Sequence, residues 1–334
     1  AAGLLFCGRD YGANFVPSDA GGGCIDILVG RKKFMQQNNL TDIIKGHIHQ
    51  HGPMTVETYW NLCLAHPTNG YYLKKDPLGV DGDFTTAPEI SQLFGEMVGV
   101  WVAMQLSRLA NPQKVHLVEF GPGRGTLMAD ILRTIGMMPV PLNSLYIHLV
   151  ETSPALRAKQ AQLLSSYNVL WHNDISTVPD DAPVLIIGNE FLDALPIRQF
   201  VFMDGRWSER VVGLSAQGEL MWGLREGHDD FSKGLSSISE GKQGAVFEFS
   251  AARANLFQQM VGRAADQGGA VLMIDYGHDI QSGTGDTFQA VLEHKFVDVL
   301  TRSGNADLTS HVNFGVLHHI AKSHKTKCLC GWIA

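Results

Sequence analysis

The run VHLVEFGPGRGTLMADILR, Val115 to Arg133, constrains the fold of this chain more than any other stretch. A short apolar segment ends at Glu119 and Phe120, glycines alternate at Gly121, Gly123 and Gly125, and an amphipathic segment then begins. Alternate glycines let a backbone turn tightly and approach a ligand with no Cβ in the way. The helix predicted after them aims its unbonded N–H groups at whatever rests on the turn. Strand, glycine-rich turn and helix in that order form a nucleotide-binding unit of an α/β sheet.

The chain around that unit extends it. Val115–Phe120 is read as a first strand, Leu145–Glu151 as a second, Asn168–His172 as a third, Val184–Glu190 as a fourth and Gly269–Tyr276 as a fifth. Each is apolar on both faces, as parallel strands covered by helices are. Ser153-Pro154 sets a cap and a proline in helix-starting order, and Ser250 caps a helix through Leu256, Met260 and Val261. After strand four, Arg198–Met203, Trp207–Val212 and Glu219–Leu224 alternate around Asp204-Gly205 and Gln217-Gly218, the pattern of an antiparallel meander.

Upstream, Leu40, Ile43, Ile44 and Ile48 have helical spacing, and Thr55 opens a second helix with Val56, Tyr59, Trp60, Cys63 and Leu64 on its inner side. Thr86 and Glu89 then have capping-box spacing, with Pro88 in the first turn. The stripe Ile90, Leu93, Phe94, Met97, Trp101 and Leu106 is expected to pack in the core. Its polar entry, Asp83 to Thr86, reads either as a lid or substrate loop or as a plain connection. Thr287 to Ala321 is expected to supply closing strands and one helix.

The fold expected is α/β: a doubly wound, Rossmann-like core with a mostly parallel sheet, an N-terminal helical extension and an antiparallel β insertion after strand four. Residues 1–34 lack periodicity and are expected to be a poorly structured or non-native leader, with Met35 as the start. A helical cap or lid region over 35–112, the nucleotide domain over 113–321 with its insertion at about 197–247, and an atypical tail at 322–334 complete the expected organisation.

Composition narrows the function. The 334 residues are 45% hydrophobic and 18% charged, with a net charge of −7, which gives no reason to expect non-specific nucleic-acid binding. No apolar run approaches the roughly 18 residues of a membrane span. Cys7, Cys24, Cys63, Cys328 and Cys330 form no CxxC pair, so no metal site is expected. The histidines are dispersed, and His47, His49 and His51 read as surface or loop residues.

Which nucleotide is bound follows from spacing. Glu119-Phe-Gly-Pro-Gly-Arg-Gly125 is GxGxG led by an acid, the form of the methyl-donor turn, whereas dinucleotide enzymes favour GxGxxG. Glu151, closing strand two, can accept ribose hydroxyls, a feature that NAD and S-adenosylmethionine sites share. Asp174 sits where an adenine-amino acceptor lies, or else caps a turn. Ligands of open α/β sheets bind beyond the carboxyl ends of the strands. There Gly188-Asn-Glu-Phe-Leu-Asp-Ala-Leu-Pro196 and Ile274-Asp-Tyr-Gly-His-Asp279 bring Glu190, Asp193 and Asp275 together. Carboxylates at a buried edge need a cation, and the planar fork of an arginine fits them. Asp193 reads alternatively as a helix cap.

Six motifs in order carry a family resemblance: NGYY (Asn69–Tyr72), GDFTTAPEISQLFGE (Gly82–Glu96), VEFGPGRGTLMADILR (Val118–Arg133), NEFLDALPIRQF (Asn189–Phe200), IDYGH (Ile274–His278) and ADLTSHVNF (Ala306–Phe314). From about Leu40 to about Ala321 the chain resembles the MidA proteins and their mitochondrial relatives, the arginine methyltransferases that assist complex I assembly. The resemblance implies a class I methyltransferase fold, S-adenosyl-L-methionine as cofactor, and symmetric dimethylation of an arginine in a quinone-side subunit of respiratory complex I. Glu119, Gly121, Gly123, Gly125, Glu151 and Asp174 are the cofactor candidates, and Glu190, Asp193 and Asp275 the candidates for acceptor binding and proton removal. The location implied is cytoplasmic in a bacterium, the reading favoured here, or the mitochondrial matrix in a eukaryote. The rival readings are a non-catalytic cofactor-binding assembly factor and an NAD-linked oxidoreductase. Residues 1–34 and Lys322 to Ala334 depart from the family pattern, the latter reading as a truncated or frame-shifted end.

Overall fold

The computed structural model describes residues 39–71, 86–109, 113–139, 142–226, 235, 241–279 and 285–324. The leader 1–34, Met35, the Asp83–Thr85 part of the loop, and Cys328 and Cys330 of the tail lie outside the described residues.

Five parallel strands form the central sheet: β2 (Val115–Phe120), β3 (Leu145–Val150), β4 (Val169–His172), β5 (Val184–Asn189) and β10 (Gly269–Ile274), in the order β10-β5-β2-β3-β4. The order reverses beside β2, so the crevice at its carboxyl end is the topological switch point where such sheets take their ligand. All six side chains of β2 are buried because helices cover both faces. On one face Val118, Phe120, Val150 and Ile186 pack against Leu256, Phe257 and Met260 of α7 (Ala251–Gln267) and Leu317 of α8 (Phe314–Ser323). On the other, Leu117, Ile147, Leu149 and Ile187 meet α4 (Gln92–Arg108) and α5 (Thr126–Gly136). Helix α6 (Pro154–Leu163) links β3 to β4, its cap Ser153 accepting from Leu156 N at 3.4 Å.

The meander after strand four is present as β6 (Arg198–Met203), β7 (Arg206–Leu214) and β8 (Leu220–Glu226), joined by β9 (Val246–Phe249). Its fifth strand comes from the N-terminal region: β1 (Met54–Thr55) pairs antiparallel with Val211 and Val212. Helices α1 (Leu40–His51) and α2 (Val56–Ala65) share a core with this inserted sheet and with Ala290, Leu300 and Leu308 from near the end of the chain. The described residues of the stretch 35–112 are therefore divided between two cores. Their first half belongs with the insertion, and their second half, α4, lies on the parallel sheet.

Two expectations need correction. The segment after Thr86 is broken: α3 (Ala87–Ile90) stops at Ser91 and α4 restarts at Gln92, and the Thr86 side chain makes no cap hydrogen bond. Phe94, Trp101 and Leu106 pack inward, but Ile90, Leu93 and Met97 are 71%, 63% and 62% exposed. The reason is close helix packing. A Cβ on Gly95 would lie 2.4 Å from Asp130 Cβ, and one on Gly99 2.8 Å from Thr134 Cβ. The smallest residues of α4 thus face α5, and its long apolar side chains on the opposite side turn outward. The closing strands also differ from expectation. β12 (Gln289–Leu292), β13 (Lys295–Val297) and β14 (Asp307–Thr309) make a separate small sheet, and β15 (Val312–Asn313) pairs with β11 (Gly277–His278); none extends the parallel sheet.

Candidate functional site

The turn from β2 to α5 is held by three glycines with φ of 56°, 55° and 90° at positions 121, 123 and 125. A side chain at such angles costs about 1–2 kcal/mol, so the turn is built for an open cradle. Gln160 of α6, fully buried, braces it: its Nε2 donates to Gly123 O at 2.7 Å and its Oε1 accepts from Trp171 Nε1 at 2.8 Å. The cleft over the turn encloses about 340 Å³ and is lined also by Thr86, Glu89, Glu119, Arg124, Thr126 and Asn189.

Three buried acceptors at neighbouring strand ends lack a protein partner: Glu119 Oε2, Glu151 Oε2 and Asn189 Oδ1. Each such group is expensive to leave unmatched. Burial pushes the Glu119 carboxyl up to about 8 and raises that of Glu151, whose other oxygen accepts from Ser153 N at 2.8 Å. Donors are what the site lacks, and a nucleoside bearing ribose hydroxyls together with an amine supplies them. Asp174 is found as a turn cap, accepting from Ser176 N at 2.7 Å through Oδ1. Arg124 turns to Glu89 at 3.8 Å rather than to Glu119.

The second component is the turn after β5. Glu190 stands at φ 47°, a left-handed conformation rare outside glycine. What holds it there is visible. Glu190 N donates to Ile274 O at 2.8 Å. Asp275 Oδ2 accepts from the amides of Phe191, Leu192 and Asp193 at 3.2, 2.9 and 3.2 Å, while its Oδ1 accepts from Tyr276 N at 2.8 Å. From α7, the buried Arg253 donates through Nη2 to Asp193 O at 2.9 Å, Leu195 O at 3.0 Å and Ser310 Oγ at 2.7 Å. Trp60 Nε1 of α2 donates to Ala194 O at 3.0 Å.

The three predicted carboxylates are thus close together but differently used. Asp275 is turned onto the backbone and fastens the turn. Glu190 and Asp193 are buried, and burial raises both carboxyls, Asp193 further raising Glu190 while Arg253 pulls Asp193 back. Asp275 is also raised, by burial first and Asp193 second. Burial and mutual repulsion thus make this cluster resist ionising, with Arg253 the cation that opposes them.

Sequence reasoning passed over several residues. Glu89 Oε1 accepts from Thr126 Oγ1 at 2.7 Å and ties α3 to the glycine turn; its capping-box spacing pointed to Thr86 instead. Tyr276 is 61% exposed although both its backbone groups are bonded, N–H to Asp275 and C=O to Val312 N at 2.8 Å. Nothing in the spacing marked Arg253. Among the described residues no group of three or more histidines, cysteines or carboxylates is placed to hold a metal ion, and no helix is long and apolar enough to cross a membrane.

Known proteins resemble this arrangement. The profile of the family described as "Putative S-adenosyl-L-methionine-dependent methyltransferase" matches residues 97–331. A Caenorhabditis elegans protein named "Protein arginine methyltransferase NDUFAF7 homolog, mitochondrial" is 38% identical over 311 residues, 85% of this chain and 72% of the relative. The Danio rerio protein named "Protein arginine methyltransferase NDUFAF7, mitochondrial" is 35% identical over 81% of this chain and 69% of its own length. Among solved structures, a Burkholderia thailandensis protein crystallised with S-adenosyl-homocysteine superposes with a TM-score of 0.73 at 25% identity, over 85% of this chain and 76% of that one. The cradle, the orphaned acceptors and these likenesses agree: the chain belongs to the family of S-adenosyl-L-methionine-dependent methyltransferases.

Proposed function

We propose that the chain transfers methyl groups to an arginine of a protein acceptor. The observation that carries this reading is the pair of buried carboxylates, Glu190 and Asp193, set beside the cofactor cradle with the exposed Tyr276 near them. S-adenosylmethionine supplies an electrophilic methyl group on a sulfonium. Gly121, Gly123 and Gly125 give the cofactor room, Glu119 and Asn189 accept from its amino-acid end, Glu151 accepts from the ribose, and Asp174 offers its second oxygen to the adenine amine. A guanidinium entering the second turn pairs with Glu190 and Asp193, its single positive charge favouring ionisation of the pair, and one nitrogen is thereby oriented. Positioning of that nitrogen provides most of the acceleration. One of the two carboxylates takes the proton the nitrogen sheds, while Asp275 keeps the turn in place. The printed names of the relatives support the arginine and a mitochondrial setting. The family resemblance adds the finer reading: symmetric dimethylation of a quinone-side complex I subunit, in the matrix, during assembly.

The test is incubation with labelled S-adenosylmethionine and that subunit, followed by mass spectrometry of the acceptor. Symmetric dimethyl-arginine is expected. Cofactor binding without any labelled acceptor would favour a non-catalytic assembly factor, and label on lysine or a terminal amine would overturn the arginine assignment.

A further inference from the structure

Each of the three neighbouring strands β2, β3 and β4 carries one inward histidine, and the three rings are linked in a row. His116 Nδ1 lies 2.8 Å from His148 Nε2, and His148 Nδ1 lies 2.9 Å from His172 Nε2. The row continues at both ends. His116 Nε2 is 2.9 Å from Asp181 Oδ1, and His172 Nδ1 is 2.8 Å from Thr177 Oγ1, which lies 2.8 Å from Asp174 O. The register explains the diagonal: His116 is the second residue of β2, Val118 pairs with His148, and Val150 pairs with His172. One end is the exposed Asp181, held by Lys114 at 2.7 Å. The other lies at the carboxyl ends of β3 and β4, where Glu151 N donates to His172 O at 3.0 Å and Asp174 begins its turn.

Counting protons shows that this row is short of one. Five contacts each need a hydrogen: Asp181 to His116, the two between rings, His172 to Thr177, and Thr177 to Asp174 O. Neutral imidazoles bring one N–H each and Thr177 brings its hydroxyl, while the Asp181 carboxylate and the carbonyl only accept. Four hydrogens therefore serve five contacts. Because Asp181 must receive, every ring carries its proton on Nε2 and donates towards Asp181. The Thr177 hydroxyl is then drawn to His172 and away from the Asp174 carbonyl. A fifth proton reverses the direction at Thr177, and all five contacts are made.

We propose that His116, His148, His172 and Thr177 form a proton-binding relay that positions the nucleoside end of the cofactor, and that cofactor binding draws in the missing proton. This rests on the placement of the cofactor beside Glu151 and Asp174. The Thr177 hydroxyl gives the Asp174 carbonyl a second bond beside the one from Thr177 N at 3.2 Å and so stiffens the turn, and ligand and proton favour the same state. The groups facing the relay hold the empty protein in its neutral form. Burial lowers all three histidines, His148 to about 3, and Lys114, Arg157 and Arg263 add to this, Arg157 acting on His172 and Lys114 on the other two; Asp181 alone opposes them, at His116.

Two measurements test this. Imidazole 15N spectra of the cofactor-free protein at pH 7 are expected to show three Nε2–H tautomers; an Nδ1–H ring among them would overturn the relay without touching the cofactor site. Calorimetric titration with S-adenosyl-homocysteine in buffers of differing ionisation enthalpy reads the net proton exchange, to which the relay is expected to add an uptake of about one proton on top of whatever Glu119 releases. Thr177→Val leaves three rings, three contacts and three protons, so this uptake should vanish; Thr177→Ser should restore it. Equal uptake by all three proteins would sink the proposal, whereas loss of binding together with Nε2–H tautomers would fault the cofactor placement alone.

Discussion

Two turns at adjoining strand ends of one sheet are shaped by opposite means. The turn after β2 reaches positive φ at three glycines and lets no side chain intrude. The turn after β5 reaches φ 47° at a glutamate, and Asp275, Arg253 and Trp60 bind its backbone in place. Where the backbone itself is the cradle, removing side chains is enough. Where a carboxylate must be presented, the conformation has to be imposed from outside, by groups on three separate segments. The first turn is locally encoded and the second is not.

The largest effect expected is at Gly123. Val at φ 55° is strained and fills the cradle. Gly123→Val should show no binding of S-adenosyl-homocysteine by calorimetry while its far-UV circular dichroism stays native. Retained binding would move the cofactor elsewhere.

The second turn is best attacked through Asp275. Asp275→Ala frees four amides at once, three of them in the second turn, and kcat on the acceptor should fall on the order of 100-fold, the cost of a small misplacement at a reacting centre. Cofactor affinity should stay within about twofold, since additivity is expected for sites without shared partners. If both quantities fall together, the two turns act as one and the comparison fails.

That division also sets what was legible. Strand β2 and its turn could be read directly, because apolar run, glycine spacing and helix start are neighbours in sequence. The β insertion was legible for the same reason. Asp275 and Asp193 could be placed at one mouth because both follow strands, but their division of labour could not, since it depends on which side chain meets which amide. Arg253 acts on residues about 60 positions away, and nothing near it in sequence signals that. The histidine row was missed because His116, His148 and His172 are dispersed along the chain and adjacent only in the sheet. Ile90 of α3 and Leu93 and Met97 of α4 were misread because hydrophobicity suggested which face packs, whereas the break at Ser91 and the close approach at Gly95 and Gly99 decided it.

A pH measurement sharpens the first turn further. Glu119 is raised from 4.5 to about 8 in the folded chain by burial. The folded state then holds a proton that the unfolded state has already lost, so this contribution is complete below pH 4.5 and disappears as pH rises towards about 8. Wild-type stability in urea should therefore decline between pH 6 and 8 more steeply than that of Glu119→Gln. Equal slopes would mean that Glu119 is solvated in the free protein.

The smallest effect expected is Glu190→Gly, and it bears most directly on the difference between the turns. Glycine removes the left-handed penalty of about 1–2 kcal/mol but returns about 0.5–1 kcal/mol of chain entropy to the unfolded state. It also removes a carboxyl that burial opposes, against the loss of one long contact from Ala87 N at 3.5 Å. The balance is a protein equally stable or more stable by up to about 1 kcal/mol, with acceptor methylation lost and cofactor affinity kept. Stability gained with function lost would show that the glutamate is retained against the backbone's preference, for its charge. A clear loss of stability would mean instead that Glu190 helps to hold α3 against the sheet, and that the strain at this turn is compensated locally after all.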